Sequence, residues 1–171
     1  MFDLKAINPA AVLVALTGLF LARPVAAEDA VVTYKSISPD VAFEIAQAAL
    51  KKCRDDGLQV AVVVMDRFGA PLVLLRDRFA GLPSANTATS KAYTALSFRS
   101  TTAEFAKGIA TNRLDPSLGR LPNIVAMAGG QPIEADGGVV GAIGVSGAPG
   151  GDKDDACAAA GIAAVRDRLD F

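Results

Sequence analysis

The stretch LQVAVVVMDRFGAPLVLLRDR, residues 58–78, decides how this chain folds. Two apolar, β-branched runs flank DRFGA at 66–70, where Gly69 supplies a turn, so the stretch is predicted to be an antiparallel hairpin. Val60 through Met65 is apolar at every position. A strand with one wet face alternates; this one does not, so both faces must be covered and it belongs in the middle of a sheet.

Upstream, SISPDVAFEIAQAALKKCRDDG (36–57) carries the marks of a helix. Ser38 suits the N-cap, Pro39 the first turn, Asp40 the positive end, and Gly57 the stop. Val41, Ile45, Ala48 and Ala49 form its expected apolar face. Downstream, residues 84–99 read as a helix capped by Ser84, and TTAEFAKGIA (101–110) as a shorter one capped by Thr101 or Thr102. Pro116, Gly119 and Pro122 mark 111–122 as a loop. NIVAMAGGQPIEADGGVVGAIGVSGAPGG (123–151) is predicted to give three short strands. The last of them, Val139 to Val145, has Val139, Ile143 and Val145 on one face and Val140, Ala142, Gly144 and Ser146 on the other, so a helix or a ligand must come close on the small side. DKDDACAAAGIAAVRDRLD (152–170) closes the chain as a helix opened by acids, with Ile162, Val165 and Leu169 as its larger contacts. The order is helix, two strands, two helices, three strands, helix. It predicts an α+β architecture with an antiparallel sheet of about five strands packed between helices.

A length of 171 residues suits one domain. Residues 1–27 differ from the rest: Lys5, the apolar run 10–22, then RPVAA. They read as a secretory signal peptide cleaved after Ala27, with an uncleaved anchor as the alternative because Asp3 offsets Lys5, followed by a linker over 28–37 and a single domain over 38–171. The apolar run falls short of the roughly 20 residues that span a bilayer, so no membrane is expected once the signal is cleaved, and the location is expected to be periplasmic or secreted. Cleavage leaves 15 basic residues of 17, and 17 acidic of 18, a balance of −2. With no run of like charge, nucleic acid is not expected as a partner. Export would put Cys53 and Cys157 in an oxidising compartment, where a disulfide and two buried thiols are both open readings. If the first and last helices lie antiparallel, the two cysteines meet.

The chain contains no histidine. That excludes Ser-His-Asp and Cys-His nucleophiles, HExxH metal sites and histidine-ligated haem. GVSGAPGGDKDD (144–155) matches no phosphate-loop pattern, and its aspartates lack the spacing of a calcium loop. No catalytic set and no metal site are read from the residues. What does stand out is TATSKAYTALSFR (87–99): Ser84, Thr87, Lys91, Thr94 and Phe98 recur at helical spacing, beside a neighbouring face of Ala85, Ala88, Ala92 and Ala95. The alanines are expected on the sheet, with the Ser/Thr/Lys/Phe line facing solvent or rimming a pocket.

VAVVVMDRFGAPLVLLRDR, SKAYTALSF, GGQPIEADGGVVGAIGVSG and DDACAAAG, in this order, resemble the GlcG/HbpS family, which includes the C-terminal domain of PduO-type proteins. The resemblance covers residues from about 38 to 169. It implies a profilin-like domain, homo-oligomers and, for some members, binding of haem or a related tetrapyrrole; others sit with glycolate or cobalamin metabolism. The motif positions that carry over are Asp66, Gly69, Lys91, Thr94, Gly129, Gly130, Pro132, Gly144, Ser146 and Gly147. Where family members ligate iron through histidine, this chain departs. An axial ligand would have to be Tyr, Met, Cys or Lys, with Tyr93, Lys91 and Met127 as the candidates to test, or the iron would be held weakly; propionates from haem would meet Arg78 and Arg99. Thr94 and Phe98 complete the candidate binding set. The expected function is an exported small-molecule binder, with haem as the cofactor to test. The alternatives are an enzyme acting on a small organic acid or planar ligand with Lys91 in its site, or an accessory subunit.

Overall fold

A computed structural model describes residues 30–169; the expected signal segment 1–27 lies outside them. The chain divides into two units, Met1–Thr33 and Tyr34–Phe171. Of the first, only residues 30–33 are described, and they form no helix or strand. Among the described residues no helix is long and apolar enough to cross a membrane.

In the second unit α1 (Pro39–Asp55) leads to the hairpin β1 (Ala61–Asp66) and β2 (Pro71–Arg76). Helices α2 (Ser84–Phe98) and α3 (Thr102–Ala110) follow, then β3 (Gly130–Ala135), β4 (Gly138–Ser146) and α4 (Gly151–Ala163). The four strands run β2-β1-β4-β3, antiparallel throughout. Strand β1 is central, as its unbroken apolar run requires. Val60, Val62 and Val64 pack with Ile143 and Val145 under α1 and α4, while Ala61, Val63 and Met65 pack with Ala142 under α2. The fold is therefore α+β, with the sheet held between two helical layers.

The sheet has four strands, not the expected five. Residues 123–129 form no strand because their backbone is engaged elsewhere: Ile124 N donates to Leu121 O (3.2 Å), and Val125 N to the Thr94 hydroxyl (2.9 Å). Two local expectations also change. Helix α2 has Pro83 at its N-cap and no side-chain cap, so Ser84 does not perform that role. The buried face of α1 is centred on Ala42, Ile45, Ala46, Ala49, Leu50 and Cys53, with Val41 and Ala48 at its margin. Ser38 caps α1 through Val41 N, and Thr101 caps α3 in a reciprocal capping box with Glu104.

Helices α1 and α4 lie together, and Cys53 and Cys157 are joined in a disulfide with a Cα separation of 5.6 Å. On the opposite face α2 sits almost on the backbone of β4. A Cβ at Gly144 would lie 2.0 Å from Ala88 O and 2.6 Å from Ala92 N. A helix is thus the close neighbour that the small face of the last strand required.

Candidate functional site

Of the line Ser84, Thr87, Lys91, Thr94 and Phe98, three members, Ser84, Lys91 and Thr94, are buried, neither solvated nor at a pocket rim, whereas Thr87 and Phe98 are half-buried. Lys91 is 0% exposed, the largest fully buried side chain among the described residues. Its ammonium donates to Asp154 Oδ2 (2.7 Å) and to Val145 O (2.9 Å). Asp154, near the start of α4, accepts at its other oxygen from Ala148 N (3.0 Å). This ion pair bolts α2 to the end of β4 and the first turn of α4. Burial raises the Asp154 pKa above the usual carboxylate value, and the Lys91 hydrogen bond and charge work against that rise. Thr94 is buried too; its hydroxyl donates to Ser90 O and accepts from Val125 N.

The glycines of the same motifs make room for this bolt. A Cβ at Gly129 would lie 2.7 Å from Asp154 Cβ and 2.9 Å from Lys91 Nζ, and one at Gly130 would lie 2.4 Å from Lys91 O. Asp66 is likewise structural. Its Oδ1 accepts from Phe68 N (2.8 Å) and Ala70 N (2.9 Å), closing the hairpin around Gly69 at φ +84°.

The remaining candidates do not converge. Phe98 leans on Phe105, ring centres 4.3 Å apart, beside a hollow lined also by Ser100, Glu104, Arg113 and Leu114. Arg99 lines a second hollow of ≈ 390 Å³ with Arg67, Leu96, Ser97, Glu134 and Val139. Arg78 lines a third, of ≈ 400 Å³, with Arg54, Gln59, Arg76, Asp77 and Phe79. Tyr93 is 38% exposed beside the hairpin turn, and Met127 is exposed in the segment before β3. Helix α2 explains the dispersal. Its 3.6-residue turn presses both the alanines and the Lys91 line inward, leaving Tyr93 and Ser97 to the outside.

Sequence reasoning missed Asp154 and the arginine hollow. Asp154 reads as one more acid at a helix N-terminus, and its partner is 63 residues away. A buried lysine demands a counter-charge, but the chain alone does not name it. Arg54 stands in α1, Arg76 at the end of β2 and Arg78 in the turn after it, and only the packing of α1 beside the end of β2 brings them together. Among the described residues no group of three or more Cys, Asp or Glu side chains is arranged to hold a metal ion.

The family model described as haem degrading protein HbpS-like matches residues 37–163. The crystal structure of a double mutant of Streptomyces reticuli HbpS is 40% identical and superposes with a TM-score of 0.74, covering 83% of this chain and 96% of its own. That of a PduOC:haem complex is 25% identical with a TM-score of 0.69, covering 75% of this chain and 94% of its own. An uncharacterised 15.0 kDa protein from the dhaT-dhaS intergenic region of Citrobacter freundii is 32% identical over 114 residues, 66% of this chain and 80% of its own. With most of its length matched by the model and by solved relatives, the chain belongs to the HbpS-like family.

Proposed function

We propose that this protein is an exported binder of haem or a related tetrapyrrole, held without a histidine ligand. The observation that carries the reading is the likeness to the PduOC:haem complex, reinforced by the haem-related description of the family. The residues fit a ligand gripped by its edge better than one gripped through iron. Lys91 is spent in the ion pair, and Cys53 and Cys157 in the disulfide. Of the ligand candidates read from the sequence, that leaves the Tyr93 phenol and the Met127 thioether accessible. For the propionates, paired or clustered guanidinium groups stand in two of the hollows, and charge-assisted hydrogen bonds to carboxylates are the strong ones.

Export is part of the proposal, supported by the apolar leader at 1–27 and by the oxidised cysteine pair. A homo-oligomer is also proposed; Phe68 and Leu82, 71% and 92% exposed, are side chains that a contact between copies would cover. The alternative of an enzyme working through Lys91 loses its footing, because a general base or Schiff-base amine must touch substrate and this one is enclosed. Haemin titrated into the purified protein should shift and sharpen the Soret band to a stoichiometric end point. A spectrum equal to that of haemin in buffer rejects the reading.

A further inference from the structure

Single arginines, Arg113 and Arg166, line two of the hollows; two others hold more than one, and the structure separates those two. In the one lined by Arg67 and Arg99, Glu134 also lines the wall, so the formal charge is two minus one, or +1. In the other, Arg54, Arg76 and Arg78 face one carboxylate, Asp77, giving three minus one, or +2. That carboxylate is already saturated. It is 4% exposed, accepts from Arg54 Nε (2.8 Å) and Nη2 (2.6 Å) on one oxygen, and from Val60 N (3.3 Å) on the other. Arg54 and Asp77 therefore form a fixed, neutral wall.

Arg76 and Arg78 are different: among the described residues neither pairs with a carboxylate. Arg76 Nη2 donates to the Ala80 carbonyl, which leaves four of its five N–H donors uncommitted. Arg78 lies over the Phe79 ring, 4.7 Å from its centre, and gives no hydrogen bond. Arg76 directly precedes, and Arg78 lies within, a turn closed by Ala80 N to Asp77 O (3.1 Å), so backbone fixes the spacing of their Cα atoms. Phe79 stands beside them, 72% exposed. Two planar forks without a carboxylate partner, and an exposed aromatic ring with one face under Arg78, match around one cavity an anion with paired carboxylates on an apolar frame.

The geometry points to this cavity as a dicarboxylate site, in which Arg76 and Arg78 each bind one carboxylate and Phe79 contacts the ligand's apolar body. It rests on the tetrapyrrole reading for one source of that chemistry, the two propionates of a porphyrin; a free aliphatic dicarboxylate is the other. The Arg67/Arg99 hollow is not the site.

The test uses metal-free protoporphyrin IX, its dimethyl ester and succinate against the full-length protein. Arg76→Gln/Arg78→Gln should weaken protoporphyrin binding, read by fluorescence titration, roughly tenfold or more per arginine. Arg78→Gln alone, which removes no hydrogen bond within the protein, should give part of that loss at an unchanged melting temperature. Arg67→Gln/Arg99→Gln tests the competing hollow, and a loss there matching that of the Arg76/Arg78 pair overturns the assignment; the ester should bind wild type and the Arg76/Arg78 double variant alike. If protoporphyrin and haemin bind wild type and the Arg76/Arg78 double variant equally, the cavity is not the site, while the tetrapyrrole reading survives. If wild type binds neither porphyrin, the tetrapyrrole reading falls and succinate decides: shifts of the Arg76 and Arg78 Nε–H resonances uphold the site, and their absence overturns it.

Discussion

At the scale of single residues, the most informative position is Lys91. Its charge faces another charge inside the protein, so its removal leaves Asp154 buried and unpaired. Such an orphan costs about 3–5 kcal/mol, whereas replacing both partners by apolar groups is often close to neutral. Lys91→Met should therefore lower unfolding free energy by about that amount, and Lys91→Met/Asp154→Leu should recover much of it, as measured by urea denaturation. The pH dependence has a definite sign. Burial holds the Asp154 proton to higher pH in the fold than in the unfolded chain. The stability contributed by that proton is present at low pH and lost as pH rises through the raised value. Removing Lys91 takes away the group opposing the rise, so the deficit of Lys91→Met should shrink on acidification through that window. A deficit that stays constant or grows contradicts the buried-pair account.

At the scale of elements, α2 and β4 are held at a distance only glycine permits. Gly144→Ala would drive a methyl into Ala88 O, and the obstacle is backbone, which cannot swing aside. We expect a loss of about 1–3 kcal/mol or more, the range for overpacking. Gly57 is the control: at φ +75° with nothing within 4 Å, Gly57→Ala meets backbone strain alone, on the order of 1 kcal/mol. Paired thermal melts check the contrast, and equal losses contradict it. What the sequence disclosed at this scale follows from locality. The hairpin, the central place of β1 and the caps at Ser38 and Thr101 depend on neighbours within a few residues, and they could be read. The first of the three strands expected after residue 123 does not form, because the Thr94 hydroxyl, 31 residues earlier, takes Val125 N. The Lys91 face was legible as a line and illegible as to its surroundings, since helical spacing groups side chains without saying what packs on them. The arginine cavity was out of reach for the same reason, apart from Arg78.

At the scale of the whole molecule, one covalent link ties its first helix to its last. The disulfide spans 104 residues, and a loop near that length confers about 4.7 kcal/mol by restricting the unfolded chain. Cys53→Ala/Cys157→Ala should melt well below the oxidised protein, and reductant should lower the wild type to a similar point; an insensitive wild type means that the pair is not closed in solution. At this scale the proposed function turns on how a tetrapyrrole would be retained by a chain with no histidine, a buried lysine and no free thiol among the described residues. The proposed grip is on the periphery of the ligand, with little of it on iron. The most direct measurement compares dissociation constants for haemin and metal-free protoporphyrin IX under the same conditions. Values within about tenfold of each other, a difference of about 1.4 kcal/mol, are predicted; haemin bound orders of magnitude more tightly would show that iron ligation dominates and contradict the account.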